Sequence, residues 1–261
     1  MNLSRYAGLL ICLTFGVANS YAGEIRLRAT DGQSLSAVHE ASSNSKKGVV
    51  LVHMDGGSSQ DWEFFAGRLK RTGFQTLSVD LRGHGASRLS RGQLSREDYQ
   101  KMRSDVDAAI NWLVRRGVTD LQVIGAGIGA NLALQAASED ERVKRLVLLS
   151  PKHRVRGLSV DGLLEQYGER PLFIAVSAED GRASRTALLL DSQALGNHSL
   201  ELLSNAGSGT QMLDRDSSLA SKIQSFLNAI PGQNPSDPVN LDVPPAELEG
   251  MTTEGERLPG F

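Results

Sequence analysis

Hydrophobic and polar positions along the chain change period several times, and those changes divide it into elements. Glu24–Ala29 and Ser34–Glu40 read as two strands joined by the turn Thr30-Asp31-Gly32-Gln33, a hairpin signature. After a polar linker at 41–47, Gly48–His53 is an unbroken apolar run, the pattern of a strand covered on both faces. Gln60–Arg71 switches to helical spacing through Trp62, Phe65 and Leu69, and Phe74–Val79 returns to a strand. Ser95–Arg116 predicts one long amphipathic helix with the stripe Tyr99, Met102, Val106, Ala109, Ile110 and Leu113. Ser95 is placed to cap it, with Asp98 three residues on. The pattern then alternates: strand Leu121–Ile124, helix Ile128–Ser138, strands Arg145–Leu149 and Leu172–Ser177, helix Arg182–Leu195, strand Ser199–Leu203, helix Ser217–Ala229. Strands alternating with helices predict an α/β fold, a mostly parallel sheet with helices on both faces. Ligands of such sheets bind beyond the carboxyl ends of the strands.

Composition changes this picture at the two ends. Arg5 followed by the apolar stretch Ala7–Ala18 and by Ser20-Tyr21-Ala22 has the layout of a secretory signal peptide cleaved after Ala22. The stretch is too short for a membrane span, which takes roughly 20 apolar residues. Residues 1–22 are therefore expected to be a leader, residues 23–230 the folded domain, and the location periplasmic or secreted. Cys12 is the only cysteine of the 261 residues, so a processed chain has no disulfide, thiolate-metal site or cysteine nucleophile. From Pro231 onward the chain holds six acidic residues and one arginine among many Pro and Gly. Residues 231–261 read as a disordered acidic tail, either a solvated extension or a docking segment for a protein partner. A net charge of −2 gives no electrostatic reason to expect a nucleic-acid partner. No cluster has metal-ligand spacing, and no cofactor is expected.

The chemistry should stand in the loops that follow the parallel strands. In order they read His53-Met54-Asp55-Gly56-Gly57-Ser58-Ser59, then Asp80-Leu81-Arg82-Gly83-His84-Gly85-Ala86-Ser87, then the glycine turn of Val123–Leu134, then Ser150-Pro151, Ser177-Ala178-Glu179-Asp180 and Asn205-Ala206-Gly207-Ser208-Gly209-Thr210. Gly125, Gly127 and Ala130 fit the dinucleotide fingerprint G-x-G-x-x-G/A. That fingerprint needs a carboxylate about 20 residues on, at the end of the next strand. The next strand ends at Ser150 without one, and the turn follows the third parallel strand rather than the first.

The ordered loops resemble the α/β-hydrolase family from about Gly48 to Leu227. They look most like a bacterial exported, esterase-like or dienelactone-hydrolase-like subgroup, whose pattern is HM-x-G-G-S, D-L-R-G-H-G-x-S, G-A-S-I-G-A-N and G-A-G-H-G-T. The resemblance implies an eight-stranded sheet beginning with the hairpin. With about 20 residues between Pro151 and Pro171, it implies no large cap and an open cleft. It also implies a serine, an acid and a histidine in that chain order. Here the serine position is Gly127, the acid position is Asp180 and the histidine position is Ser208. Gly127 offers no nucleophile, and the Ser208 hydroxyl is no base near neutral pH. What the resemblance leaves is an oxyanion pocket, from the N–H of Ile128 and an N–H of the Met54-Asp55 loop. Such donors alone give roughly a thousandfold over water in triad-deleted proteases.

The expectation is therefore a pseudoenzyme that binds a small apolar or ester-like ligand, or a protein partner, at Met54, Asp55 and Ile128. The alternative is an active esterase with a non-standard nucleophile or base. His53 reads as a structural histidine, and His84 as part of its turn. Asp80 and Arg82 read as a turn-locking pair, Ser58 and Ser59 as helix caps, and His39, His153 and His198 as surface residues.

Overall fold

The computed structural model describes residues 23–89 and 92–229. The expected leader and acidic tail lie outside the described residues. In chain order the elements are β1 Gly23–Arg28, β2 Ser34–Glu40, β3 Lys47–Val52, α1 Glu63–Arg71, β4 Gln75–Val79, α2 Arg96–Lys101, α3 Arg103–Arg115, β5 Asp120–Ala126, α4 Ile128–Glu139 and β6 Val143–Leu149. They continue with β7 Arg154–Val155, β8 Leu158–Ser159, α5 Leu163–Tyr167, β9 Leu172–Ser177, α6 Gly181–Gln193, β10 His198–Leu203, α7 Gln211–Arg215 and α8 Leu219–Asn228. Eight strands form one sheet in the order β1-β2-β4-β3-β5-β6-β9-β10, and β7 and β8 form a separate small hairpin. The β1–β2 and β2–β4 pairings are antiparallel and every later pairing is parallel.

The continuous apolar strands serve two cores. Val50, Val52, Val123, Leu146, Leu148, Ile174 and Val176 face α3, α4 and α6. Their alternates Val49, Leu51, Ile124, Val147, Leu149 and Phe173 face α1 and α8. That division is what a period-two strand imposes once both faces are covered. The chain runs from β3 out to β4, then returns to the other side of β3 as β5. The loops after β3 and β5 therefore flank the point where strand order reverses, the usual crevice of such sheets.

Three local expectations change. The helix predicted over Ser95–Arg116 is broken at Met102, whose N–H is shared between the carbonyls of Asp98 and Tyr99. That sharing tightens one turn toward 3₁₀ geometry. The predicted stripe is nonetheless wholly buried. The helix predicted to start at Gln60 opens as a 3₁₀ turn, Ser59–Trp62. Ser58 and Asp61 form a capping box there, so Ser58 caps as expected while Ser59 is simply buried. His39 is buried, not on the surface: Trp112 of α3 stacks edge-on over it at 4.7 Å, and Gln75 lies 3.3 Å from its Nε2. The segment 151–171 holds β7, β8 and α5, too little chain for a large cap.

Candidate functional site

The turn between β5 and α4 has the backbone of a nucleophile elbow without the nucleophile. Gly127 sits at φ 57°, ψ −117°, a conformation that glycine adopts readily and other residues adopt under strain. Its neighbours are glycine for a different reason. A Cβ on Gly125 would lie 2.1 Å from the Gly129 carbonyl oxygen, and one on Gly129 would lie 2.3 Å from that of Val52. Neither position has room for a methyl group, because strand and helix cross in near backbone contact. A Cβ on Gly127 would meet only Met54, whose Cβ would be 3.1 Å away, so that side chain would have to yield a few tenths of an ångström. Ile128 is the first residue of α4, so its N–H has no acceptor within the helix.

Met54 joins the loops. A Cβ on Gly209 would lie 3.0 Å from the Met54 sulfur and 3.4 Å from the Ala126 Cβ. The thioether thus lies between the elbow and the loop after β10. That second loop is tied to the sheet by Ser150, whose Oγ accepts the Gly209 N–H at 2.9 Å. Ser150 is fully buried at the end of β6 and holds a positive φ of 52°, uncommon for a residue with a side chain.

Asp180 and Ser208 meet directly. The Ser208 hydroxyl donates to Asp180 Oδ2 at 3.0 Å, and the Lys152 ammonium donates to the same oxygen at 2.7 Å. Oδ1 accepts the Ala183 N–H, which makes Asp180 the N-cap of α6. Burial pushes the Asp180 carboxyl up, but Lys152, Ala183 and Ser208 outweigh it and hold it below the usual carboxylate range. Lys152 is positioned by the elbow helix itself. The buried amide of Asn131 donates to the Lys152 carbonyl at 2.6 Å and accepts its N–H at 3.0 Å. Of the three expected positions, Asp180 and Ser208 bond directly, and Gly127 lies against Met54, which in turn lies against Gly209 beside Ser208. Lys152, Asn131 and Ser150 were missed from sequence. The one available signal was that Lys152 stands in the loop after β6, beside the acid loop.

The β7–β8 hairpin, within the short 151–171 segment, contacts the loop after β3. Arg156, in its turn, pairs with Asp55 through Nε at 3.2 Å and Nη2 at 3.0 Å, and its guanidinium lies 5.0 Å over the Tyr99 ring. Asp55 also accepts from the Tyr99 hydroxyl at 3.2 Å and lies 3.3 Å from His84 Nε2. Burial raises the Asp55 carboxyl, while Arg156 and His84 more than offset it and leave it below its ordinary value. Met54 and Asp55 border a hollow of about 330 Å³ together with Thr210 and Asp214. The other ring nitrogen of His84 faces the Arg82 carbonyl oxygen at 3.1 Å, so both its nitrogens already face acceptors.

Asp80 and Arg82 do not lock each other. The loop curls around Asp80, which accepts the N–H groups of Ser59 at 2.6 Å and Ala86 at 2.8 Å. Arg82 instead enters the core, bonding Asp105 of α3 and, through Nη1, Asp31 of the first hairpin. Burial works against its charge, but the two carboxylates outweigh it and raise its pKa further. His53 is fully buried and satisfied on both sides. Its Nδ1–H donates to the Met54 carbonyl at 2.8 Å and its Nε2 accepts the Leu81 N–H at 3.0 Å. Burial pushes it down to about 4. His153 and His198 are exposed, as expected. Among the described residues no group of His, Cys, Asp and Glu could hold a metal ion, and no helix is long and apolar enough to cross a membrane.

Residues 43–177, just over half the chain, match the family described as Hydrolase_4, serine aminopeptidase S33. The chain belongs to this α/β-hydrolase family. Solved members of the fold superpose on it at low sequence identity. An esterase of Pyrococcus furiosus is 18% identical with a TM-score of 0.64, covering 79% of this chain and 91% of its own. A dienelactone hydrolase of Anabaena variabilis is 17% identical with a TM-score of 0.65, covering 79% and 96%. At such identities the likeness speaks for the α/β-hydrolase fold. A curated Escherichia coli protein, described as an uncharacterized 31.7 kDa protein in the traX-finO intergenic region, is 34% identical over 86 residues. Those residues are 32% of this α/β-hydrolase chain and 29% of that protein, so the match spans less than a third of the relative's length.

Proposed function

We propose that this member of the α/β-hydrolase family is an exported pseudoenzyme that binds a small ligand or a partner at the hydrolase cleft without cleaving it. The observation that carries the reading is the pairing of an elbow backbone at Gly127 with an acid whose partners are a hydroxyl and an ammonium. Acyl transfer needs a nucleophile at the elbow and a base between it and the acid. Gly127 supplies no nucleophile. Asp180 is bonded by Ser208 and Lys152 where a hydrolase would have an imidazole. An ammonium held by a carboxylate donates protons and accepts none, so Lys152 does not replace that imidazole. The leader pattern at residues 1–22 supports export.

The second reading, an active hydrolase, rests on Ser208, whose hydroxyl already donates to a carboxylate. The lowered basicity of Asp180 argues against it. The test is reconstruction. Gly127→Ser with Ser208→His should raise p-nitrophenyl acetate hydrolysis above that of the parent, and neither change alone should. Adding Lys152→Ala should raise it further, because the new imidazole then has Asp180 to itself. Full activity from either single change would overturn the assignment of these positions.

A further inference from the structure

Beside the cleft, the loop after β6 and α6 border a second, open hollow of about 700 Å³, whose arginines are exposed to solvent. That size is typical of small-molecule sites, which run roughly 300–1,000 Å³. Its lining includes Lys152, Arg154, Arg182 and Arg185, with Val155 and Leu189 as apolar neighbours. Four permanent cations therefore face one cavity in a chain whose net charge is −2. Two of them are matched: Lys152 by Asp180 and Arg154 by Asp161. Arg182 and Arg185 have no carboxylate partner among the described residues. They stand one turn apart on the same helix, where i and i+3 side chains are neighbours.

Their location is unfavourable for the helix that carries them. Arg182 lies in the first turn of α6 and Arg185 just beyond it; the one carboxylate at that end, the N-cap Asp180, is already taken by Lys152, Ser208 and the Ala183 N–H. The N-terminal end of a helix carries the positive end of its dipole and favours anions, so cations there work against it. Local choices that oppose local stability concentrate at functional sites. Guanidinium forks match the oxygens of phosphate and carboxylate groups in a way that single ammonium groups do not.

We propose that this cavity binds a small organic dianion. Its oxyanion head is held by Arg182 and Arg185, and its apolar part lies on Leu189 and Val155. The two unmatched positive charges set the ligand's charge, and the paired apolar side chains make it an organic molecule rather than a bare ion. The inference goes beyond the proposed function, whose ligand lies in the cleft itself. Its test shares neither residues nor assay with the reconstruction, so one can fail without the other.

The probes are phenyl phosphate, phthalate and the neutral benzamide, titrated into the protein by calorimetry or amide chemical shifts. Saturable binding of phenyl phosphate or phthalate with a Kd below about 1 mM supports the site, and the tighter of the two identifies the head group. Benzamide should not bind. Arg182→Gln/Arg185→Gln should weaken the dianion at least about tenfold. Arg71→Gln/Lys101→Gln removes the same charge from exposed positions elsewhere and should leave binding intact. Thermal unfolding of each variant confirms that it folds. No saturation by either dianion, retained affinity in the α6 variant, or equal loss in the remote variant would each overturn the proposal.

Discussion

The loop after β4 and the loops around Gly127 belong to the same crevice but differ in what they keep. In the first, Asp80, Arg82 and His84 are each matched: Asp80 by backbone N–H groups, Arg82 by Asp105 and Asp31, His84 by a carbonyl and Asp55. In the second, the elbow backbone is present, with glycine at 127 and serine at 208 where the family pattern would have a serine and a histidine. Buried charges hold a fold only when complete, since an unpaired partner costs several kcal/mol. Catalytic groups carry no such obligation, so they can be lost without loss of the scaffold. On the proposed reading shape and chemistry are separable here, and particular residues test the contrast.

The largest effect should come from Asp105→Ala. It strands the buried Arg82 guanidinium beside the half-exposed Asp31, and urea unfolding should show a loss of about 3–5 kcal/mol. The glycines come next. Gly129→Ala drives a methyl group into the carbonyls of Val52 and His53 and should cost at least about 3 kcal/mol or abolish soluble protein. Gly127→Ala meets only Met54 and a strained φ, so it should fold with a loss of about 1–3 kcal/mol. Equal losses at both positions would erase the distinction between a glycine kept for packing and one left by a missing side chain.

A pH series probes the matched region from another side. His53 is neutral when folded, with a value of about 4 against 6.5 when unfolded. Below pH 6.5 the unfolded chain takes up a proton that the folded chain refuses. Stability should therefore be full above 6.5 and fall by about 3 kcal/mol as pH drops to about 4. His39, also lowered chiefly by burial, adds in the same direction. Replacing His53 by Gln should flatten this dependence between pH 7 and 4.5. The smallest effect should be Ser208→Ala, which leaves Asp180 its lysine and its cap and should change stability by less than about 1 kcal/mol.

How far each region was legible in the sequence follows the same division. The sheet could be read because β3 carries the apolar run Gly48–Val52, β5 and β6 end in the apolar runs Val123–Ala126 and Leu146–Leu149, and Gly125 and Gly129 mark where strand meets helix. The substitutions at 127 and 208 could be read because their flanking motifs are local. The Arg156–Asp55 pair could not, since its partners are 101 residues apart. The same holds for Lys152 on Asp180, and for Arg82, which turns to α3 because the loop closes around Asp80. His39 looked exposed because nothing in β2 announces that Trp112 covers it. The helix break at Met102 leaves the apolar period undisturbed, so the sequence carries no mark of it.

The central claim is that the scaffold has kept its form without the groups that cleave esters. Intact-mass spectrometry of the purified parent chain after incubation with a fluorophosphonate serine-hydrolase probe tests it most directly. The account predicts an unchanged mass, with p-nitrophenyl acetate hydrolysed far below the rate of an active esterase. One probe adduct per chain on any serine, accompanied by loss of ester cleavage, would contradict it.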